Sequence, residues 1–139
     1  MTCARSVVLQ SSPTPTLISG VAPELEPKEF AVEWIEVWNS HNLEAMLSHY
    51  DDDVVLTSSM EATILNLPSG TVEGKVALRN YFKRGLEVYA NLSFELVDVM
   101  RGLCSIVICY RNQKSTRAAE FMELTANEKI IRVVAHCST

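Results

Sequence analysis

The chain lacks a hydrophobic run long enough to cross a bilayer. Its longest apolar stretches, such as residues 106–109, are far short of the roughly 20 residues that a membrane-spanning helix needs. Basic residues are scattered and fewer than acidic ones, 12 against 17, so no basic patch of the kind that binds nucleic acid or anionic lipid is evident. We therefore expect neither a membrane nor a nucleic acid as a partner.

Spacing typical of metal sites and disulfide frameworks is also missing. The four cysteines show no CxxC pair, which indicates reduced thiols and a cytoplasmic location. The three histidines do not stand at ligand spacing, and the three aspartates at 51–53 are interpreted as a polar turn after a helix. We expect no metal site and no cofactor.

The first 26 residues differ in composition from the rest of the chain. They are rich in serine and threonine and contain no acidic residue before Glu24. The apolar stretch at 7–9 is too short for a secretory signal. We interpret residues 1–26 as a flexible tail, with an organelle transit peptide as the alternative, and residues 27–139 as one domain.

Apolar periodicity predicts three helices, at 27–40, 43–50 and 75–90, with Asn42 as the N-cap of the second. A short β-branched strand is predicted at 54–57, followed by a loop with at most a brief strand at 60–74. The remainder predicts an antiparallel meander of four strands, at 92–101, 103–110, 116–124 and 130–137. This order favours an α+β fold with helices on one face of a curved sheet.

The same order of elements resembles the nuclear transport factor 2-like superfamily, and particularly its SnoaL-like members. Residues 38–50 resemble the family's first helical hairpin, and residues 52–55 resemble its step into the first strand. Residues 73–82 resemble its glycine followed by the third helix, and residues 123–133 its final hairpin. The resemblance spans about residues 28–137.

The resemblance implies a cone-shaped α+β barrel, with three helices packed in a curved, mostly antiparallel sheet. The open end of such a cone commonly forms a pocket for a hydrophobic small molecule, and members frequently form homodimers. The scaffold serves ketosteroid isomerases, polyketide cyclases, epoxide hydrolases and dehydratases, so it does not name a ligand.

Matching the chain to ketosteroid isomerase places Trp34, Ser58 and Glu120 where that enzyme has a tyrosine and two aspartates. Only one carboxylate remains. Isomerisation needs a base at the second position, and a serine hydroxyl without a partner is too weak a base. We do not expect that activity here.

Glu120 is the candidate catalytic residue. It shares one face of its predicted strand with Ala118, Met122 and Leu124, so we expect it to point inward. Burial raises the pKa of a carboxyl group and suits it to acid or base catalysis near neutral pH. SnoaL-type cyclases resemble the chain at this position, because they also have an acidic residue on this part of the sheet. Alternatively, Glu120 pairs with an arginine, or a one-residue register shift turns it outward.

The predicted ligand pocket combines aromatic, aliphatic and small polar side chains. Beside Glu120 it contains Trp34, Trp38, Ser58, Tyr81, Phe82, Leu86, Met122, Ala135 and Cys137. Helical spacing alone also explains both tryptophans as core residues. His136 is predicted on the outer face of the last strand. Because no inward base is evident near it, Cys137 is not expected to be a nucleophile.

Two functions follow from these residues. The first is a domain that binds a small molecule, with isomerase, cyclase or hydrolase chemistry through Glu120. The second is a non-enzymatic homodimeric module that uses the outer face of the sheet, with Phe121, Val134 and Ile130. A pocket with Glu120 inside it and a polar partner beside it would favour the first.

Overall fold

A computed structural model describes residues 26–59 and 69–138. Helix α1 spans Pro27–Ser40 and buries Ala31, Trp34 and Ile35. Proline suits its first turn, since that position has no helical hydrogen bond to lose. The helix ends where His41 adopts a left-handed conformation with a φ of 59°. The predicted tail, residues 1–26, lies outside the described residues apart from Glu26.

Helix α2 is shorter than predicted. It spans Leu43–Leu47, and its N-cap is Asn42, whose side-chain oxygen accepts a hydrogen bond from Ala45 N at 3.1 Å. Strand β1, Tyr50–Thr57, begins immediately afterwards. The prediction that the helix continues to residue 50 is wrong, as is the polar turn at 51–53, because pairing with Ile130 draws Tyr50 into the sheet.

Strand β2, Thr71–Glu73, is the brief strand of the predicted loop, whose residues 60–68 lie outside the described part. Helix α3, Lys75–Val88, follows Gly74, whose φ of 90° suits glycine. Leu78 and Phe82 form the buried stripe of α3. This stripe packs against β1 and β2, which places the helix on the inner face of the sheet.

The meander comprises β3 (Glu95–Gly102), β4 (Ser105–Arg111), β5 (Arg117–Leu124) and β6 (Ile130–Cys137). The strand order in the sheet is β2-β1-β6-β5-β4-β3. Within the described residues, β1 and β6 are parallel and the other neighbours antiparallel. The predicted α+β cone of three helices and a curved, mostly antiparallel sheet is confirmed, although the sheet does not close on itself.

One residue lies on the other face from the one predicted. The prediction that Ile130 lies on the outer face is wrong, because this residue is fully buried in the core. The pairing of β5 with β6 shifts between Glu123 and Leu124, so that Leu124 pairs with Ile130. Because one extra residue reverses the alternation of a strand, the irregularity turns Ile130 inward.

The cysteines are not all reduced. Cys109 and Cys137 are free thiols, whereas Cys104 is disulfide-bonded. The prediction of four reduced thiols is therefore wrong for Cys104. Spacing along the sequence was a poor guide because a disulfide requires proximity in space.

Candidate ligand cavity

A cavity of about 280 Å³ opens between helices α1 and α3 and the inner face of the sheet. Much of its wall is aromatic. Helices α1 and α3 contribute Trp38, Tyr81 and Phe82, and the sheet contributes Tyr50 and Tyr110. The rings pack tightly, since the centroids of Trp38 and Phe82 are 4.7 Å apart in an edge-to-face contact. Such a wall suits a flat, apolar ligand.

Glu120 faces this cavity from β5. Its neighbours in the sheet are Ile108 on β4 and Ala135 on β6, which also face inward. The hydroxyl of Tyr110 donates a hydrogen bond of 2.5 Å to Oε2 of Glu120. The carboxyl group thus has a tyrosine as its partner, and not the arginine considered from the sequence.

The environment of Glu120 alters its protonation. Burial raises its pKa to about 7, while the hydrogen bond from Tyr110 and the charge of His136 act in the opposite direction. Burial and the neighbouring Glu120 raise the pKa of Tyr110 well above its usual value, so this tyrosine keeps its proton. Both forms of Glu120 are consequently populated at neutral pH, which suits proton transfer in either direction.

A second polar cluster lies on the same wall, around the hydroxyl of Tyr50. This hydroxyl accepts a hydrogen bond of 3.2 Å from Nε1 of Trp34. Burial, and then the charge of Glu120, raise the pKa of Tyr50, so its hydroxyl also remains protonated. Nε1 of Trp38 is buried and makes no hydrogen bond within the described part of the chain.

The turn between β4 and β5 contributes a polar part of the cavity wall. Asn112 holds this turn, because its side-chain oxygen accepts hydrogen bonds from the backbone N–H groups of Lys114 and Thr116. The ammonium group of Lys114 lies 5.7 Å from the centroid of the Tyr89 ring, and both residues line the cavity. This side of the cavity is therefore polar, while the rest is largely aromatic.

Most of the predicted pocket residues line one cavity, together with Glu120. They are Trp38, Ser58, Tyr81, Phe82, Ala135 and Cys137. Trp34, Leu86 and Met122 do not line it. Trp34 and Met122 are almost fully buried in the core, and Leu86 packs against the core from α3. The prediction that these three side chains face inward could not show whether they line the cavity. Much of the inner face of the sheet is covered by packed core residues and does not border the cavity.

Tyr110 and Tyr50 were missed. Tyr110 continues the inward alternation of Ile106 and Ile108, and it pairs with Ala118, two residues from Glu120. A hairpin register drawn from the sequence would have found this diagonal neighbour. Tyr50 was hidden by its assignment to the second helix. His136 pairs with Ala119, is exposed, and also contributes to the cavity lining.

Among the described residues, no group of three histidine, cysteine or acidic side chains could hold a metal ion. None of the described helices is long and apolar enough to span a membrane.

The protein-family model of the SnoaL-like domain matches residues 31–133 of the chain. A search of curated proteins found no match. Among solved structures, a SnoaL-like protein of unknown function from Burkholderia thailandensis is 32% identical, with a TM-score of 0.76. The match covers 82% of this chain and 100% of that one.

Two more distant structures share the fold. An NTF2-like protein of unknown function from Cytophaga hutchinsonii is 12% identical over 85% of this chain and 95% of that one, with a TM-score of 0.62. The epoxide hydrolase/cyclase-like enzyme SalBIII, which has a role in pyran ring formation in salinomycin, is 18% identical over 81% and 90%, with a TM-score of 0.61. At these identities the likeness concerns the fold alone.

Proposed function

The chain belongs to the SnoaL-like domain family, and on that premise we propose that it binds a hydrophobic small molecule in the cavity and transfers a proton to or from it through Glu120. Isomerisation, cyclisation and hydrolysis are the reactions that fit such a step. SalBIII, an epoxide hydrolase/cyclase-like relative in fold, gives this range of chemistry some support.

The observation that carries the proposal is the pairing of Glu120 with Tyr110 in an aromatic cavity. The 2.5 Å hydrogen bond fixes the carboxyl group of Glu120, and this half-buried residue lines the cavity. A pKa of about 7 makes the group an effective acid and base at neutral pH. An ion-paired glutamate in a purely structural role would have its pKa lowered instead.

The chemistry proposed uses one carboxylate. Of the described residues that line the cavity, Glu120 alone is acidic, and Ser58 occupies the position of the second carboxylate in the isomerase resemblance. A single glutamic acid can protonate a ring oxygen as its bond breaks, or accept a proton from an attacking hydroxyl group. We therefore propose acid–base chemistry with one residue in both roles.

A thermal-shift screen of hydrophobic ring compounds tests this function, because a ligand raises the unfolding temperature by mass action. We expect at least one compound to stabilise the parent, with an affinity that changes across pH 7. Glu120→Gln should remove that pH dependence. The matched control is Glu123→Gln, on the same strand but on the opposite face, which should leave it unchanged.

Two results would contradict the proposal. One is the absence of any stabilising compound, which would favour the interaction module. The other is a pH dependence that persists in Glu120→Gln, which would assign the titration to another group.

The second candidate function is a homodimer through the outer face of the sheet. Met100, Val107, Phe121 and Val134 pair in sequence across β3, β4, β5 and β6, forming an apolar row. Met100 is 54% exposed, although it is a large apolar side chain. The other three residues of the row are half-buried, and a partly exposed apolar row of this kind favours a protein interface.

Sedimentation analysis tests the dimer. The parent should sediment as a dimer and Phe121→Glu as a monomer, because the variant places a charge in the middle of the row. The control, Ala126→Glu, adds the same charge at an exposed turn and should leave the dimer intact. A monomeric parent would contradict the proposal.

A cytoplasmic location remains a prediction from the sequence, and the disulfide at Cys104 weighs against it.

A further inference from the structure

The hairpin turn that joins β4 to β5 concentrates positive charge. Residues 111–117 contain Arg111, Lys114 and Arg117 and no acidic residue, in a chain whose net charge is −5. Arg111 and Arg117 pair directly across the two strands, where like charges destabilise a sheet, and both are exposed. Among the described residues, no carboxylate forms an ion pair with any of the three. This cationic turn therefore carries charge that no described acidic residue neutralises.

Of the three basic residues, Lys114 belongs to the cavity. Its ammonium group lies 5.7 Å from the centroid of the Tyr89 ring, at the C-terminal end of α3, and both residues line the cavity. An aromatic face attracts a cation without neutralising its charge, so the ammonium group stays available to an anion. Within the described residues, Lys114 is the only lysine or arginine in the cavity wall.

Hydrogen bonds of the turn hold the backbone of Lys114 in place. The side-chain oxygen of Asn112 accepts from the backbone N–H groups of Lys114 and Thr116, at 2.9 and 3.1 Å. The backbone N–H of Ser115 donates to the carbonyl of Asn112, and that of Asn112 donates to the carbonyl of Thr116. A backbone that is ordered before binding loses little conformational entropy when a ligand arrives, which favours a binding role for this turn.

Glu120 and the cationic turn lie apart along β5. The strand begins at Arg117, three residues before Glu120, and Lys114 lies in the turn beyond its start. At about 3.4 Å per residue, Glu120 is about 10 Å along the strand from the turn. The basic side chain that acts on the pKa of Glu120 is accordingly that of His136. A ligand that reaches both Glu120 and Lys114 must therefore have its reacting atoms at one end and its charge at the other.

We propose that the ligand is an amphipathic organic anion, with a flat apolar ring in the aromatic part of the cavity beside Glu120 and a carboxylate or similar group bound by Lys114. This inference rests on the proposed function and names the class of its substrate. Arg111 and Arg117 attract the anion to this end of the molecule, since surface charge of one sign speeds the association of an opposite charge. The reverse orientation would place the anionic group beside Glu120, where like charges repel.

A matched pair of ligands tests the inference. 3-(2-Naphthyl)propanoic acid and 3-(2-naphthyl)propanamide share the ring and the chain, and they differ in the charge at one end. Isothermal titration at pH 6 and low ionic strength gives the affinity of each for the parent and for Lys114→Gln. At this pH the acid is ionised, while most of Glu120 keeps its proton. The quantity of interest is the ratio of the two affinities within one protein, because a general loss of stability or packing affects both ligands.

We expect the parent to prefer the acid, and Lys114→Gln to reduce that preference by about 2- to 5-fold, the range for one solvent-accessible ion pair. Lys114→Arg keeps the charge and should keep the preference. The matched control, Lys83→Gln, removes the same charge from the exposed side of α3 and should leave the ratio unchanged. Added salt should weaken binding of the acid more than binding of the amide, because salt screens exposed charges.

Equal affinity of the parent for the two compounds would overturn the inference, as would a preference for the acid that Lys114→Gln does not reduce. Either result would leave the proposed function intact, because the ring would still bind. Failure of both compounds to bind the parent would overturn the inference together with the proposed ligand cavity.

Discussion

Replacing Tyr110 with phenylalanine removes the hydrogen bond to Glu120 and keeps the ring that packs in the cavity wall. The bond of 2.5 Å stabilises the ionised carboxylate, so its loss should raise the pKa of Glu120 above the parent value of about 7. Hydrogen bonds to charged groups contribute about 1.5 to 3 kcal/mol. Since one pKa unit equals about 1.4 kcal/mol, the pKa should rise by about 1 to 2 units.

The assay is a carbon NMR titration of protein labelled at the glutamate carboxyl carbons. The signal of Glu120 is assigned by its disappearance in Glu120→Gln, and its pKa is then followed in Tyr110→Phe. Tyr89→Phe, which removes a hydroxyl elsewhere in the cavity, should leave the pKa unchanged. An unchanged or lower pKa in Tyr110→Phe would refute the reasoning that this hydrogen bond holds down the pKa of Glu120.

Three further predictions concern stability. The parent should lose on the order of 3 kcal/mol of unfolding free energy as the pH rises from 4.5 to about 7, because the folded state keeps a proton on Glu120 that the unfolded state releases. Urea titrations should show this loss in the parent and not in Glu120→Gln; a loss of equal size in both would contradict it. Asn42→Ala should cost about 1 kcal/mol through the lost N-cap, and a neutral effect in the same titration would contradict the cap. Met122→Ala should cost about 2 to 5 kcal/mol by opening space in the core, and a cost under about 1 kcal/mol would indicate that Met122 borders the ligand cavity.

The helices and the meander were predictable because their apolar periods are strong. The apolar residues that form the stripe of α3, and many of those that alternate along β4 and β5, are buried in the structure. Strand β1 was predicted only from residue 54, whereas it begins at Tyr50. Tyr50 is followed by three aspartates, which disfavour strands locally, and its pairing partner, Ile130, is eighty residues away in β6. Such non-local pairing overrides local propensity and leaves no local signal.

The sequence predicted which face of the sheet the candidate site residues lie on better than it predicted which side chains contact one another. Alternation alone places Glu120 inward, and the same argument placed Met122 in the pocket, although it is buried in the core. Distinguishing a filled from an open part of the inner face requires the positions of the helices. The contact between Tyr110 and Glu120 depends on the hairpin register, and the inward turn of Ile130 depends on an irregularity that the sequence does not mark.

The most direct test of the central claim is to locate a bound ring compound by NMR, using nuclear Overhauser contacts between the compound that stabilises the protein most in the thermal-shift screen and protein methyl groups. The account predicts contacts to Ala118 and Ala135, which line the cavity beside Glu120 on the inner face of the sheet. Contacts confined to Val107 and Val134, which lie on the outer face of the sheet, would contradict it.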